Sequence, residues 1–376
     1  MPADKKKILI VCKGFYPLNS PRAFRAAELA KEFARQGHDV TVLTPKDPEV
    51  HPPFEKEYGL TIKDLGQPRW KEVEIKGSGL VLLVRRALRR FSNLLFEYPN
   101  IELMGMVKKA LRKESGYDLM ISIAVPYPIH WGVASVRSEK HPVAKTWIAD
   151  CGDPYMGVEN DTFSRPFYFA IPEKKFCRKA DYITVPVEGA IDAYFPEFRD
   201  KFRVIPQGFR FEDIELQEKP QNNGRPVFGY AGSFIPGRRD PSEFLAWLAN
   251  LDKDYEFHIY TTHPNMVEPW IEKGAGRIRL KDLVPRTELL HRMSGMDFVV
   301  NFENVGNRQT PSKLIDYAII NKPVLSVRTG DLDTNTASGF LDGDYSNRYT
   351  IEDPDQYRIG NVCAKFLNLR EESLKS

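Results

Sequence analysis

A short segment in the last quarter of the sequence combines residue types that suit an anion. Residues 309–316 read QTPSKLID, so Thr310, Ser312 and Lys313 surround a proline that begins a predicted helix. The first turn of a helix carries free backbone N–H groups and a partial positive charge, and both favour a bound anion. Asp316 follows one turn after Ser312, where its carboxylate suits ribose hydroxyls. The spacing therefore predicts that this turn holds the phosphates of a nucleotide.

A second basic segment follows a predicted strand. After VFGYAGSF comes IPGRRD, which places Arg238 and Arg239 where a strand gives way to a helix. Arginine binds phosphate in bidentate fashion, and fixed cations stabilise the charge that builds up when a diphosphate departs. These residues are expected on the same phosphates, with Arg239 the better placed.

The amino-terminal half offers candidates for acid–base chemistry. Asp150 and Asp153 lie in WIADCGDPY, just after a predicted strand, where a carboxylate can orient a hydroxyl or accept its proton. Asp153 lies further into the loop, whereas Asp150 also suits a turn cap. His130 in SIAVPYPIHWG follows another strand, and either a catalytic or a structural role is open.

Two arginines on the helix after the first strand could bind a phosphate group. Arg22 and Arg25 lie in NSPRAFRAAELAKEF. Exposure to solvent is equally compatible with the sequence.

The elements that position these residues form the same alternating pattern of strands and helices in each half of the sequence. KILIVC, DVTVLTP, DLMISIAV, AKTWIAD, DYITVPV and FRVIPQG are apolar runs typical of parallel strands, and helical segments separate most of them. The first helix has Ser20 as its expected N-cap and Pro21 at its first position. The pattern stops at a polar stretch and restarts at VFGYAGSF. This predicts an α/β protein with two Rossmann-like α/β/α domains facing a cleft.

The predicted boundaries follow from these breaks. They are an amino-terminal domain over 1–208, a linker over 209–226, a carboxyl-terminal domain over 227–355, and a final helix over 356–376 that packs back toward the amino-terminal domain. A chain of 376 residues suits two domains.

Composition excludes several classes of protein. Net charge is only +3, so the overall charge does not indicate nucleic acid or membrane as a partner. The four cysteines form no C-x-x-C pair, so structural zinc and disulfides are not expected. A reduced, cytoplasmic compartment is expected instead. No G-x-G-x-x-G follows a strand. D-x-D occurs four times in late polar stretches, a pattern that indicates chance rather than a metal site.

Residues 76–113 depart from the balanced charge. They hold nine basic and two acidic residues, an excess of +7, with leucines at helical spacing among the arginines. A basic amphipathic helix of this kind can lie on the anionic inner face of a membrane. Nucleic acid is not expected, because no interleaved aromatics accompany the charge.

These segments together resemble a GT-B glycosyltransferase of the retaining family 4, also called group 1. The likeness rests on KILIVCKGFYP, AELAKEFARQGHDVTVLT, WIADCGDPY, EKKFCRKADYITVPVEGA, VFGYAGSF, LVPRTELLHRMSGMDFVVNF and TPSKLIDYAIINKPVLS. It implies a metal-independent hexosyltransferase that moves a sugar from a UDP- or GDP-linked donor, needs no cofactor, and retains the anomeric configuration. The acceptor implied is a glycan or a lipid-linked molecule in surface polysaccharide or glycoconjugate synthesis.

The resemblance assigns roles to the candidates. The catalytic candidates are His130, Asp153 and Arg239. The donor-binding candidates are Gly14, Arg238, Arg239, Gln309, Thr310, Ser312, Lys313 and Asp316. The acceptor-side candidates are Arg22, Arg25 and Asp150.

The sequence departs from the family pattern at three places, one of which is the loop after the first strand, where members are often glycine-rich and this chain has only Gly14. Many members carry two glutamates eight residues apart, where this chain has Arg308 and Asp316, and many carry arginine where it has Ser233. Two alternatives therefore stay open. They are a sugar-nucleotide epimerase of the same architecture and a non-catalytic relative that binds nucleotide.

Overall fold

The computed structural model describes residues 5–157, 163–217, 224–303 and 313–374. These form two compact units. Unit 1 comprises Met1–Phe209 and Ile359–Ser376, and unit 2 comprises Arg210–Arg358.

Unit 1 is built on a parallel sheet of buried apolar strands. The strands are β1 Lys7–Val11, β2 Asp39–Thr44, β3 Thr61–Asp64, β4 Tyr117–Ile123, β5 Ala144–Asp150, β6 Tyr182–Val185 and β7 Phe202–Val204. Over the described ranges the sheet has seven strands in the order β3-β2-β1-β4-β5-β6-β7. Strand order reverses between β1 and β4, the arrangement of a Rossmann-like fold. Strand β3 was not predicted, because its sequence TIKD buries only Ile62.

Helices cover both faces of this sheet. They are α1 Pro21–Arg35, α2 His51–Tyr58, α3 Gly79–Phe96, α4 Glu102–Leu111, α5 Pro128–Val136 and α6 Ala170–Lys179. The predicted start of α1 is confirmed, because Pro21 opens the helix and the Ser20 side chain accepts a hydrogen bond from the Ala23 N–H at 3.3 Å. The helices bury apolar side chains in two cores, one of which contains Trp131 and Trp147.

Unit 2 repeats the architecture on a smaller scale. Its elements are β8 Val227–Ala231, α7 Ser242–Ala249, β9 Glu256–Tyr260, α8 Glu268–Lys273, β10 Ile278–Lys281, α9 Arg286–Ser294, β11 Phe298–Phe302, α10 Lys313–Ile320, β12 Val324–Val327 and α11 Thr334–Leu341. Within the part of the chain that the structure describes, the five parallel strands follow the order β10-β9-β8-β11-β12. Phe228 of the central strand stacks on Phe257 and Phe298, with ring centroids 4.7 and 4.4 Å apart.

The chain passes between the units twice. After unit 1 ends at Phe209, residues 214–217 pack on α9, where the Gln217 N–H donates to the Ser294 hydroxyl at 2.9 Å. The last helix, α12 Ile359–Ser373, lies in unit 1 and buries Phe366 and Cys363 in the core that also contains Phe33 of α1.

The basic stretch 76–113 forms two helices rather than one. Helix α3 ends at Phe96 and is followed by Glu97, which has left-handed backbone angles, and α4 begins at Glu102. Over the described residues, none of the helices has both the length and the apolar character needed to cross a bilayer.

Candidate active site

The candidate site in unit 2 lies at the carboxyl edge of its sheet. The central strand β8 pairs with β9 on one side and with β11 on the other, so the strand order reverses between β8 and β11. Ligands of open parallel sheets bind at such a switch point. Gly232 follows β8, and α10 with Lys313 and Asp316 comes next after β11 in the element order.

Gly232 leaves room for the Lys313 side chain. Its φ of +147° is a backbone angle that favours glycine, and a Cβ added there would overlap the end of Lys313. The Lys313 ammonium donates to the Tyr230 hydroxyl and lies 4.0 Å from the centroid of that ring. An aromatic ring of β8 and the glycine after that strand therefore fix the position of a lysine on α10.

Lys313 is held in an environment that disfavours its charge. Burial, and then the positive charge of Arg239, lower its pKa from 10.5 to about 7, while Asp316 opposes this shift. A second cation so close to a buried lysine stabilises a bound anion, because the anion offsets both charges.

Asp316 forms an ion pair with an arginine from another helix. Nε and a terminal nitrogen of Arg286, at the start of α9, contact the same Asp316 oxygen at 2.9 and 2.5 Å. Burial raises the pKa of Asp316, and Arg286 and Lys313 oppose the rise. Arg286 and Lys313 thus both act on the Asp316 carboxylate, and Arg239 joins this group only through its effect on Lys313.

The loop after β8 carries Arg238 and Arg239 on an ordered turn. The Thr329 hydroxyl donates to the Arg238 carbonyl at 2.7 Å and accepts from the Asp240 N–H at 3.0 Å. Arg238 is exposed, whereas Arg239 is partly buried. The Nε of Arg239 is buried and has no hydrogen-bond partner among the described residues. Arg239 rather than Arg238 therefore belongs to the cluster with Lys313.

Part of the predicted phosphate-binding turn lies outside the described residues. Gln309, Thr310 and Ser312, together with Arg308, lie outside the described residues. The cluster in unit 2 is therefore defined by Tyr230, Gly232, Arg239, Arg286, Lys313 and Asp316.

In unit 1, Arg25 and Asp150 are partners in the core. The Asp150 carboxylate accepts hydrogen bonds from Arg25 at 2.8 and 3.1 Å, from Arg22 at 3.3 Å and from the Thr184 hydroxyl at 2.8 Å. Burial opposes ionisation, but Arg25 and Arg22 outweigh it and hold the pKa of Asp150 below its usual value. Arg25 and Asp150 are 2% and 1% exposed. Both were expected on the acceptor side, yet in this structure they bind each other, and only Arg22 of the three keeps a partly exposed side chain.

His130 also lies in the core. It is on α5 with no exposed surface, and its ring nitrogens contact the Ser122 hydroxyl at 2.8 Å and the Cys151 sulfur at 3.6 Å. Burial lowers its pKa to about 3, so the imidazole is neutral at physiological pH. The sequence placed it correctly after a strand, but its surroundings are those of a packing residue rather than of a group exposed to substrate.

Gly14 and Asp153 remain at the surface of unit 1. Gly14 follows β1 and lies beside Ala23 at the start of α1. Asp153 is exposed, and its carbonyl accepts a hydrogen bond from Tyr127 at 2.9 Å. Of the amino-terminal candidates, Asp153 is the carboxylate that solvent reaches.

Sequence reasoning missed Tyr230 and Arg286. Each lies inside a segment quoted for other reasons, and each contacts α10 from a position 30 residues or more away in sequence. The one signal in the sequence was that both lie at the carboxyl side of strands in a parallel sheet, where side chains from distant segments meet.

A family comparison assigns this chain to a class of enzymes. Residues 23–213, just over half of the chain, match the model of Glycosyltransferase Family 4. The chain belongs to that family, as its motifs suggested, and is therefore placed among the glycosyltransferases. No curated protein matches the sequence.

Solved structures of glycosyltransferases share the fold at low sequence identity. A glycosyltransferase from Rickettsia africae is 11% identical with a TM-score of 0.62, covering 99% of this chain and 100% of its own. HepE from Anabaena, in complex with UDP, is 11% identical with a TM-score of 0.56 and 98% coverage of each chain. A mutant of S. aureus TarM, in complex with fondaparinux, α-GlcNAc-glycerol and UDP, is 13% identical with a TM-score of 0.53, covering 98% of this chain and 93% of its own. The predicted GT-B fold is thereby confirmed.

Proposed function

We propose that the protein transfers a hexose from a UDP- or GDP-linked donor to a glycan or lipid-linked acceptor, with retention of configuration. The observation that carries this proposal is the cluster at the switch point of unit 2, in which Arg286 and Lys313 act on Asp316 and Arg239 lies close to Lys313. The cluster has three cationic side chains and one carboxylate, and a nucleoside diphosphate supplies further negative charge. Structural relatives in complex with UDP support this choice of ligand.

The roles within the cluster follow from its chemistry. Lys313 and Arg239 bind the diphosphate, and Gln309, Thr310 and Ser312 add hydrogen bonds. Asp316, oriented by Arg286, accepts hydrogen bonds from ribose hydroxyls. Arg238, exposed on the same loop, contributes a weaker contact.

The transfer step needs stabilisation of the leaving group above all. The bond between the anomeric carbon and the diphosphate oxygen breaks, and the electron pair stays on the diphosphate. The acceptor oxygen then bonds to the anomeric carbon from the face that the diphosphate vacates, and the proton of the acceptor hydroxyl passes to the departing diphosphate. Because fixed cations neutralise the developing charge, we propose that no divalent metal is needed.

On unit 1 we propose that Asp153 binds and orients the acceptor hydroxyl. Arg22 lies at the same carboxyl edge of the sheet and completes the acceptor side, whereas Gly14 stays a donor-binding candidate. Arg25, Asp150 and His130 support this edge from the core.

We also propose that the protein acts at the cytoplasmic face of a membrane, in surface polysaccharide or glycoconjugate synthesis. Helix α3 supports this part of the proposal. Leu80, Leu83 and Val84 are 77%, 61% and 57% exposed beside Arg85, Arg86 and Arg89. Exposed apolar and basic side chains on one helix favour an anionic bilayer.

Radiolabelled UDP- and GDP-sugars, with a panel of glycan and lipid acceptors, test the proposed activity. We expect sugar release or transfer in the presence of EDTA, with retained configuration by NMR. Arg239→Gln should lower the turnover number about a hundredfold, the cost of removing one cation or donor from a developing charge. Arg238→Gln is the matched control and should lower it far less. Conversion of the donor sugar to an epimer without acceptor, or nucleotide binding without any turnover, would contradict the proposal.

A further inference from the structure

Helix α3 leaves most of its surface uncovered by its own unit. Of its eighteen residues only Leu94 is buried, and Leu88, Phe91 and Phe96 are 56%, 48% and 66% exposed. Contiguous apolar surface of this kind marks a binding site more often than a free surface.

An apolar groove runs between α3 and the segment before it. Its volume is about 640 Å³, and it is lined by Trp70, Val73, Leu88, Phe96, Tyr98 and Ile101. The Trp70 ring stacks on Tyr98 with centroids 5.6 Å apart. The Glu102 carboxylate accepts the backbone N–H groups of Arg69 and Trp70 at 2.9 and 2.8 Å. Hydrogen bonds thus hold the wall of the groove against the start of α4.

A basic pocket of about 350 Å³ adjoins this groove. The two share Val73, Ser92 and Tyr98 among their lining residues. The basic pocket is lined by Arg86, Arg89 and Arg90 against the single carboxylate of Glu72, which pairs with Arg89. The excess of arginine suits phosphate, which this side chain binds in bidentate fashion.

Residues just after the carboxyl-terminal end of α3 form hydrogen bonds with residues at the carboxyl edge of the unit 1 sheet. Lys13, after β1, donates to the Asn100 side chain at 2.9 Å, next to the groove residues Tyr98 and Ile101. Tyr155, two residues after Asp153, donates to Glu97 at 3.0 Å. A ligand in the groove would therefore end close to the edge at which Asp153 lies.

We propose that these two cavities form one binding site for a lipid acceptor that carries a phosphate on a long hydrocarbon chain. The chain occupies the apolar groove, and the phosphate binds Arg86, with Arg89 and Arg90 beside it. The ligand that we propose has one hydrocarbon chain, and the two-chain phospholipid of a bulk membrane is the alternative that the displacement experiment below tests. The inference rests on the proposed function and narrows its acceptor to a lipid phosphate.

Trp70 provides a direct readout, because it lines the groove and is 48% exposed. The full chain is titrated with farnesyl phosphate, farnesol and inorganic phosphate, and Trp70→Phe gives the background from the other tryptophans. We expect farnesyl phosphate to shift the Trp70 emission to shorter wavelength and to bind at least tenfold more tightly than either half-ligand. Equal binding of farnesol, or no shift, would overturn the proposal.

Two pairs of variants separate this site from the helix surface in general. Leu88→Glu and Arg86→Gln change lining residues and should each weaken farnesyl phosphate binding by about tenfold or more. Leu83→Glu and Arg112→Gln make the same changes at exposed positions that do not line the cavities. These control variants should leave farnesyl phosphate binding unchanged. An equal loss in the controls would contradict the assignment.

Two further measurements identify the source of the ligand and distinguish failure of the lipid site from failure of the proposed nucleotide site. Soluble dihexanoyl-phosphatidylglycerol should displace farnesyl phosphate only weakly, and equal displacement would assign the groove to bulk phospholipid instead. UDP and GDP are titrated in parallel. Nucleotide binding without farnesyl phosphate binding overturns this inference alone, whereas the reverse result overturns the donor site and leaves the groove in place.

Discussion

At the scale of single residues, Lys313 makes nucleotide binding depend on pH. Its pKa is about 7 without ligand, and a bound diphosphate raises it, so binding takes up a proton above pH 7. Affinity should then fall as pH rises from 7 to 9, by up to about tenfold per unit. Calorimetry of UDP or GDP in HEPES and Tris, which differ in ionisation enthalpy, measures the uptake. Lys313→Met should abolish the uptake, and a wild-type affinity that does not change over this range would contradict the assignment.

Gly232 is the second residue whose type the site requires. Gly232→Ala combines a strained φ of +147° with overlap on Lys313, so nucleotide affinity should fall by about tenfold or more. Gly237→Ala is the matched control on the same loop, because its φ is +70° but nothing lies within 4 Å of the added carbon. The control should lower thermal stability only. Equal affinities of the two variants would show that Lys313 is not displaced.

Residue types alone predicted part of this site. Lys313, Asp316 and Arg239 were predicted because lysine, a carboxylate and arginine stood near predicted strand ends, and the structure brings them close together. Arg25, Asp150 and His130 stood at similar places, but the structure buries them. Sequence shows that a polar residue follows a strand, whereas its exposure depends on which helices cover that strand.

At the scale of elements, the Arg25–Asp150 pair joins α1 to the strand ends of unit 1. Arg25 also donates to the carbonyls of Ile205 and Pro206 at 3.1 and 2.5 Å, just past β7. Removing one partner of a buried pair leaves an uncompensated charge, so Asp150→Asn should lower the free energy of unfolding by about 3 kcal/mol.

Urea unfolding of the full chain measures this change in the free energy of unfolding. Asp192→Asn, which removes the exposed partner of Arg199, is the control and should cost under about 1 kcal/mol. The pKa of Asp150 is lowered in the folded state, so its contribution is present above the unfolded pKa and is lost as pH falls through the folded pKa. A variant as stable as the control would contradict the structural role.

Helix α3 should attach the protein to anionic membranes. We expect sedimentation with vesicles of phosphatidylcholine and phosphatidylglycerol, and little with phosphatidylcholine alone, because the arginines require anionic lipid. Leu83→Glu should reduce binding, while Leu374→Glu, also at an exposed leucine, should not. Binding that is independent of phosphatidylglycerol, or equal loss in both variants, would contradict this role.

At the scale of the whole molecule, the architecture was the most predictable feature. Buried parallel strands such as AKTWIAD read as continuous apolar runs, and the structure places this one at Ala144–Asp150. The break of the basic stretch at Glu97 and the packing of residues 214–217 on α9 were not predicted. Both depend on contacts with distant segments rather than on local pattern.

Calorimetric titration with UDP and GDP tests the central claim most directly, because the proposed transfer requires unit 2 to bind a nucleoside diphosphate. Wild type is compared with Lys313→Met and with Lys253→Met, an exposed lysine paired with Asp342. The account predicts that one nucleotide binds wild type and Lys253→Met alike and binds Lys313→Met at least tenfold more weakly. Failure of both nucleotides to bind wild type, or equal affinities for the two variants, would contradict it.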